Sequence, residues 1–318
     1  MKKVFCLVLA LAMVFALAAC SSESAEKAYR VGIVQLAQHP ALDAATQGFM
    51  DTLKEKLGDK VTFDNQNASG ETANCAIIVN GFVSDNVDLI MANATPAVQA
   101  AASATATIPV LGTSVTEYGT ALSIDNFSGT VGTNVSGTSD LAPLDEQAAV
   151  IKEWFPDAAT VGLLYCSAEA NSIYQVKVMQ EELTKLGYAV TLFSFNDTND
   201  VASVTQTACD NVDVIYIPTD NIAANNTEAI ANVVLPAGVP VVTGEESMCK
   251  GCGVATLSIS YYDLGCQTGE MAYKILTGAE KVESMPIAYA PNVTKKYNAA
   301  NVAALGLTVP DGYEAIAD

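Results

Sequence analysis

Positive charge, histidine and tryptophan are scarce in this chain. Its 318 residues include 15 Lys and Arg against 35 Asp and Glu, so the formal net charge is −20. A balance this acidic argues against nucleic acid or an anionic membrane surface as the main partner. One His and one Trp leave little basis for histidine-based catalysis, a His-rich metal site or a bound cofactor. Half of the residues are hydrophobic, which is enough for the cores of two domains.

The first twenty residues are typical of an export signal. Two Lys precede an apolar run from Val4 to Ala19, which is shorter than the roughly 20 residues of a spanning helix. The run ends in Leu17-Ala-Ala-Cys20, which resembles the lipobox of bacterial lipoproteins, where the Cys is acylated. We therefore expect a signal peptide over 1–19 and a lipidated tether over 20–28. The product would be anchored by lipid on the extracytoplasmic face of the cell membrane. The alternative is an ordinary signal peptide whose Cys is incidental.

Strand-like and helix-like segments alternate through the rest of the chain, as in parallel sheets covered by helices. The first half predicts strands over 30–36, 61–65, 88–92 and 108–111, with helices over 41–57, 71–83 and 96–103. After a link over 126–141 that is rich in Gly, Ser, Thr and Asn, the pattern restarts. It then predicts strands over 160–165, 190–195, 212–217 and 239–242, with helices over 168–186, 201–209 and 222–235. A helix over 261–276, a strand over 287–289 and a helix over 299–305 complete the chain. The sequence therefore predicts an α/β protein of two Rossmann-like lobes, each a parallel sheet flanked by helices, with a hinged ligand cleft.

The loops after these strands are where a ligand should bind, because open parallel sheets bind ligands beyond the carboxyl ends of their strands. The loops of the first lobe carry neutral side chains, namely Gln38, His39, Pro40, Thr95, Thr113 and Ser114. The link and the second lobe carry acids and amides, namely Ser139, Asp140, Glu169, Asn171, Asp220, Asn221 and Glu245. Neutral donors at helix N-termini suit a carboxylate, and acids suit an ammonium group, so the set favours a zwitterion such as an amino acid. The alternative is that Asp140 and Asp220 cap helices while Glu169 and Glu245 are solvated loop charges.

No arrangement of residues that could perform catalysis is visible. The chain has no nucleophile elbow, phosphate-binding loop or dinucleotide fingerprint. Cys249 and Cys252 are spaced as in redox-active or zinc-binding pairs, but no second pair or nearby His completes a metal site. We expect them instead to be small residues of a Gly-rich turn, with or without a local disulfide. A thiol oxidoreductase is therefore one alternative, and otherwise we expect a protein that is not an enzyme.

Seven motifs in chain order resemble one family. They are Val31–Asp43 with its His39-Pro-Ala-Leu-Asp43, Asn93-Ala-Thr-Pro-Ala97, Gly137-Thr-Ser-Asp140, Ser167–Ser172, Ile217-Pro-Thr-Asp-Asn221, Gly244-Glu245 and Tyr261–Gly269. Together with the lipobox they are similar to the solute-binding lipoproteins of ABC transporters typified by tryptophan- and tyrosine-binding proteins. That family has the type I periplasmic-binding fold. The resemblance implies capture of Trp, Tyr or Phe between closing lobes and delivery to a membrane permease and its ATPase, by a protein that we expect to be a monomer.

The resemblance also implies how the lobes and the site are built. Three crossings would assign residues 29–137 and 257–287 to lobe one, and residues 138–256 and 288–318 to lobe two. Thr95 would meet the ligand carboxylate, and Gln38 and His39 would line the side-chain end. Asp220 and Asn221 would face the ligand from lobe two, with Glu169 and Asn171 close by. The candidates for aromatic contact with the ligand are Tyr118, Tyr165, Tyr174 and Tyr261.

Some features of the sequence leave the ligand open. Gln38 stands where the family more often has Glu, so one charge near the ligand is missing. The same fold could bind an aliphatic amino acid, a nucleoside or a sugar, or serve as a surface adhesin or sensor. If the protein is a receptor for an aromatic amino acid, Asp220→Ala should weaken ligand binding more than tenfold and leave the protein folded.

Overall fold

The computed structural model describes residues 28–290 and 292–317. The predicted signal peptide, Cys20 and the tether as far as residue 27 lie outside the described residues. None of the helices in the described part of the chain is long and apolar enough to cross a membrane.

The first half of the chain alternates strands and helices as predicted. Its elements are β1 (Tyr29–Gln35), α1 (Pro40–Leu57), β2 (Val61–Asn67), α2 (Thr72–Ser84), β3 (Leu89–Asn93), α3 (Thr95–Ala104), β4 (Val110–Val115), α4 (Tyr118–Leu122) and β5 (Val135–Ser139). Strands β3 and β4 are buried along their whole length, and their apolar runs are those of strands covered on both faces.

The second half repeats the pattern. Its elements are α5 (Leu144–Trp154), β6 (Thr160–Cys166), α6 (Ala170–Lys185), β7 (Ala189–Phe195), α7 (Val201–Cys209), β8 (Val214–Ile217), α8 (Asn221–Asn225), α9 (Thr227–Ala237), β9 (Val241–Thr243), α10 (Glu246–Gly251) and β10 (Ala255–Ser258). The described chain ends with α11 (Tyr261–Leu276), β11 (Ala288–Tyr289), β12 (Thr294–Tyr297), α12 (Ala299–Ala304) and β13 (Glu314–Ala315).

The strands form two sheets. The first has the order β11-β5-β4-β3-β1-β2 and the second has the order β13-β12-β10-β9-β8-β6-β7. All neighbouring strands are parallel except β10 and β12, which are antiparallel. Each sheet has one apolar core on either face. This is the predicted fold, and we call the parts built on the two sheets the first and second lobes.

The chain passes between the sheets three times: after β5, after β10 and after β11. The sheet strands end at Ser139, Ser258 and Tyr289, each two residues beyond the boundary that the resemblance implies. Helix α11 returns to the first lobe and packs closely against α1. The contact is close because Gly48 and Gly265 have no side chain: a Cβ atom on either would overlap the backbone of the other helix.

Several elements were not predicted. Strand β5 lies inside the polar link. Its sequence, Val135-Ser-Gly-Thr-Ser139, lacks the alternation of apolar and polar residues that is typical of a strand. It is nevertheless fully buried, because its hydroxyls find partners: Ser136 Oγ donates to Met285 O at 3.0 Å and Thr138 Oγ1 lies 2.8 Å from Thr268 Oγ1. Helices α4, α5 and α10 and strands β10, β12 and β13 were also missed, and the helix predicted over 222–235 is two helices that meet at Asn226.

Candidate functional site

A narrow cavity of about 20 Å³ lies between the two lobes. It is formed by the loops after β1, β4, β5, β6, β8 and β9 and by the start of α11, so it lies at the carboxyl ends of the strands, as predicted. This volume is well below that of most small-molecule sites, so a bound ligand would hold the lining residues further apart than they are here. The lining residues are His39, Ala41, Leu42, Ser114, Thr116, Asp140, Asn171, Thr219, Asp220, Asn221, Ala224, Glu245, Met248 and Tyr261.

Four side chains in this lining carry a buried polar atom without a hydrogen-bond partner. They are His39 Nδ1, Ser114 Oγ, Asp140 Oδ1 and Asn171 Oδ1. Each of the four residues is at most 7% exposed. An unpaired buried polar atom costs about 1–3 kcal/mol, so four around one cavity indicate groups kept for a ligand.

Asp140 is the acid with a free oxygen. Its Oδ2 accepts a hydrogen bond from the Tyr261 hydroxyl at 2.8 Å, whereas Oδ1 has no partner. Burial raises the pKa of Asp140 to about 6, against the opposing effect of the Tyr261 and Thr116 side chains. Asp140 caps no helix, because the N-cap position of α5 is Pro143.

Asp220 has a different position. Its carboxylate accepts from the backbone N–H of Cys166 at 2.6 Å, from Ser172 Oγ at 2.8 Å and from the backbone N–H of Ala223 at 2.8 Å. It therefore caps α8 and joins the loops after β6 and β8. Burial, and then the negative charge of Glu169, raise the pKa of Asp220 to about 7. Asp220 lines the cavity, but both of its carboxylate oxygens accept hydrogen bonds from the second lobe.

Glu169 and Glu245 are buried, not solvated. Glu169 accepts four hydrogen bonds, from Asn171 Nδ2, Asn221 Nδ2 and the backbone N–H groups of Asn221 and Ile222. Glu245 caps α10 by accepting from the backbone N–H groups of Ser247 and Met248, both at 2.6 Å, and burial raises its pKa. No Lys or Arg is among the lining residues, so the acids there have no cationic partner from the protein.

The structure brings seven of the predicted site residues into the lining: His39, Ser114, Asp140, Asn171, Asp220, Asn221 and Glu245. It places six others outside it. Gln38 and Pro40 are exposed, whereas Thr95, Thr113, Ser139 and Glu169 are buried behind the lining. Thr95 begins α3, Thr113 Oγ1 accepts from Thr138 Oγ1 at 3.2 Å, and Ser139 Oγ donates to Thr116 O at 2.8 Å.

Most of the apolar lining is not predicted by the sequence. Leu42, Ala224 and Met248 lie three residues after His39, Asn221 and Glu245. Side chains three apart on a helix share a face. When a site residue is predicted at the start of a helix, the residue three positions later is therefore also a candidate for the lining. The sequence contains this signal. Of the four candidate Tyr rings only Tyr261 lines the cavity.

The backbone is strained where the first lobe meets the cavity. Ser114 has φ +54° and Ala94 has φ +91°, at the ends of β4 and β3. A left-handed backbone at a non-glycine residue costs of order 1–3 kcal/mol and is found most often at binding and catalytic sites. Ser114 is the strained residue that also lines the cavity.

Two hydrogen bonds across the cleft show that the lobes are closed. His39 Nε2 lies 3.4 Å from Asn221 Oδ1, and Gln175 Nε2 donates to Thr116 Oγ1 at 3.4 Å. His39 and Thr116 belong to the first lobe, whereas Asn221 and Gln175 belong to the second. Closure thus joins the loop before α1 to the start of α8, and the end of β4 to α6.

The cysteines do not support a redox site. All six described cysteines are free, and Cys249 and Cys252 are buried in and just after α10. Burial raises the pKa of both thiols, whereas a reactive cysteine needs a lowered pKa. Among residues 28–290 and 292–317 no group of three or more His, Cys, Asp or Glu residues could hold a metal ion.

Solved structures with a similar fold include one with a bound ligand and one without. A domain from Streptococcus pneumoniae in complex with L-Trp superposes with a TM-score of 0.86 at 30% identity, covering 91% of this chain and 100% of that one. A ligand-free, open structure of a substrate-binding protein with adhesive properties from Clostridium difficile gives 0.70 at 34% identity, covering 91% and 99%. The relative with the higher sequence identity thus has the lower TM-score, as expected when that structure is open and this one is closed.

Comparison of sequences gives the family. The chain is 34% identical over 268 residues to a tyrosine-binding protein of Clostridioides difficile, which covers 82% of this chain and 76% of that protein. The profile of a family described as ABC transporter substrate binding protein matches residues 30–318. Proteins of this family bind substrates outside the cytoplasm and do not transform them. The chain therefore belongs to the substrate-binding proteins of ABC transporters.

Proposed function

We propose that this protein captures an aromatic amino acid (Trp, Tyr or Phe) for an ABC importer. The observation that carries the proposal is Asp140 Oδ1, a buried carboxylate oxygen without a partner in a cavity that no Lys or Arg lines. An ammonium group would satisfy it. The relatives described as a tyrosine-binding protein and as a complex with L-Trp support the amino-acid class.

The lining offers a place for each part of such a ligand. The ammonium group would bind Asp140 Oδ1 and Asn171 Oδ1, the two unpartnered acceptors. The carboxylate would accept from the Ser114 hydroxyl, which is also unpartnered. The ring would pack against Leu42, Met248 and the ring of Tyr261.

The role in import rests on the N-terminus and on the lobes. We propose that Cys20 is acylated and tethers a monomer to the outer face of the membrane, where it meets a permease and its ATPase. Incorporation of a labelled fatty acid, abolished by Cys20→Ser, tests the anchor. We also propose residues 29–137 with 257–287 and 138–256 with 288–318 as the two bodies that move, which the membership of the sheet strands supports to within two residues.

The first experiment is titration calorimetry on residues 21–318, refolded from denaturant so that no ligand is carried over. A micromolar dissociation constant corresponds to about −8 kcal/mol, which one bonded ammonium group and one buried ring can supply. We expect Trp, Tyr or Phe to bind and Asp140→Asn to weaken binding more than tenfold. Asp145→Asn, an exposed acid on α5, is the matched control.

Other outcomes would change the assignment. Binding of an aliphatic amino acid, a nucleoside or a sugar in place of the aromatic amino acids would keep the receptor and change its ligand. An adhesin or sensor is a second candidate because one relative has adhesive properties. A folded, ligand-free protein that binds no small solute but attaches to host cells would favour it.

A further inference from the structure

His39 is the one histidine of the chain, and its ring lines the cavity. It precedes α1, is 7% exposed, and makes no capping bond to that helix. Its Nε2 lies 3.4 Å from Asn221 Oδ1 across the cleft, and its Nδ1 is buried without a partner. The two ring nitrogens therefore have different surroundings.

The Asn221 amide determines which nitrogen carries the proton. Asn221 Nδ2 donates to Glu169 Oε2 at 2.7 Å, so the amide presents its oxygen to His39. Glu169 is held in turn by the backbone N–H groups of Asn221 and Ile222, both at 3.1 Å. An amide oxygen only accepts hydrogen bonds, so His39 Nε2 must be the donor.

The remaining nitrogen is consequently an acceptor. Burial lowers the pKa of His39, so the ring is neutral at pH 7. A neutral imidazole with its proton on Nε2 has a lone pair on Nδ1. Left buried and unpaired, that lone pair costs free energy, which a ligand with a hydrogen-bond donor would recover.

We propose that His39 Nδ1 accepts a hydrogen bond from the ring of the ligand, so that the site selects aromatic amino acids carrying an O–H or N–H donor, Tyr or Trp, over Phe. The inference rests on the proposed function and narrows it. Asn221 and Glu169 are positioning residues, because they act through the tautomer of His39. The selection operates in the closed state, since Asn221 and His39 belong to different lobes.

Selectivity of this kind is larger than that of an apolar pocket. A site built around a hydrogen bond to the substrate rejects the analogue that lacks the group, because its own polar atom is then left buried and unpaired. We expect Tyr or Trp to bind at least about tenfold more tightly than Phe. The apolar contacts with Leu42 and Met248 would be the same for all three rings.

The test is a set of dissociation constants for Tyr, Trp and Phe with four proteins. In the wild type the preferred ligand should bind at least tenfold more tightly than Phe, and His39→Phe should bring that ratio close to one by weakening the preferred ligand. Asn221→Ala should reduce the ratio in part while His39 stays in place. Gln47→Ala, an exposed residue of α1, should leave all three constants unchanged.

The outcomes separate this inference from the proposed function. Equal affinity for Tyr, Trp and Phe would overturn the role of His39 and leave the receptor assignment standing. Equal weakening of all three ligands by His39→Phe would also overturn it, because Nδ1 would then serve the ammonium group or the fold. If none of the three binds the wild type, both proposals fail.

A spectroscopic measurement covers the case in which His39→Phe does not fold. In untagged protein with ¹⁵N-labelled histidine, one imidazole gives the signals, because the chain has one His. We expect an Nε2–H tautomer whose Nδ1 resonance moves when Tyr or Trp is added and does not move with Phe. A proton on Nδ1, or the same shift with all three ligands, would overturn the inference.

Discussion

At the residue scale, the acids around the cavity divide by how their oxygens are used. Asp220 and Glu245 accept hydrogen bonds from the second lobe and cap α8 and α10. Asp140 has one oxygen bonded to Tyr261 and one without a partner. Because a bonded carboxylate stabilises its own loop while a free one is available to a ligand, Asp140 is the acid on which binding should depend.

Asp140→Asn should lose affinity and gain stability. The rise of its pKa from 3.8 to about 6 means that the folded protein holds the charge at a cost of about 3 kcal/mol at pH 7. Asn can still accept from Tyr261 and carries no charge, so we expect weaker ligand binding and a higher unfolding midpoint. Thermal unfolding at pH 7 and at pH 3.5 measures this, and the stabilisation should vanish at pH 3.5, where the unfolded chain is also protonated. A lower midpoint at pH 7 would mean that the charge stabilises the fold.

Ligand affinity should depend on pH through the same carboxylate. An ammonium group needs Asp140 in its charged form, and burial raises the pKa of Asp140 to about 6. Below that pH a proton competes with the ligand, so affinity should fall by up to about tenfold per pH unit. Calorimetric titrations at pH 8, 7, 6 and 5 should show the loss at the lower end, whereas a change between pH 8 and 7 would belong to Asp220, whose pKa is about 7. The Asp140→Asn protein should lose most of this dependence.

The sequence identifies the loops that form the site, but it does not show which of their acids is free to bind a ligand. Position after a predicted strand was sufficient to propose Asp220 and Glu245, whereas Asp140 was proposed from its place in the polar link and from the family motif that ends there. Position in the sequence does not show which carboxylate oxygens already accept hydrogen bonds from the protein. The donors to Asp220 come from Cys166, Ser172 and Ala223, on three different segments. Asp220→Ala should consequently disturb the second lobe as well as binding, which the sequence alone did not suggest.

At the element scale, the pairing of α1 with α11 connects the fold to the site. Helix α1 begins one residue after His39, and α11 begins at Tyr261, so their crossing sets the distance between two residues that line the cavity. Gly48 and Gly265 permit the close approach. The crossing thus acts as a rigid support for this side of the cavity.

Gly265→Ala should disturb this support. A Cβ atom at position 265 would overlap the backbone of Ala45, so α11 would have to move away from α1. Forcing an extra methyl into a packed contact costs about 1–3 kcal/mol, and we expect a lower unfolding midpoint with weaker ligand binding.

Gly81→Ala is the matched control for this substitution. Gly81 lies inside α2 with no atom near its missing Cβ, so the change should be neutral or stabilising by up to about 1 kcal/mol. Denaturant unfolding of both variants provides the comparison. Equal stability of the Gly265→Ala protein and the wild type would show that the helices can separate without cost.

Most of the longer helices and apolar strands were predictable from hydrophobic spacing, although α5 was not, and α11 was predicted with its observed ends, Tyr261–Leu276. Strand β5 was not, because Ser136 and Thr138 are polar and are buried through hydrogen bonds to segments more than 100 residues away. Hydrophobic periodicity reports burial among apolar side chains and contains no information on such distant partners.

At the scale of the whole molecule, closure and ligand binding are coupled. In the closed form His39 Nδ1, Ser114 Oγ, Asp140 Oδ1 and Asn171 Oδ1 are buried without partners, and the cavity lining has acids and no Lys or Arg. Each unpaired atom costs about 1–3 kcal/mol. Opening would return these atoms to water, so the ligand-free protein should favour the open form.

A ligand that supplies the missing partners should therefore close the molecule. Small-angle scattering of refolded residues 21–318 should show a smaller radius of gyration when the preferred aromatic amino acid is added at saturation. Asp145→Asn should close in the same way, whereas Asp140→Asn at the same ligand concentration should stay mostly open. Because a ligand shifts a conformational equilibrium only through its different affinity for the two forms, the size of the shift should follow the affinity of each variant. A ligand-free protein that is already as compact as the liganded one would mean that the lobes close on the strength of their own contacts, such as that between Gln175 and Thr116.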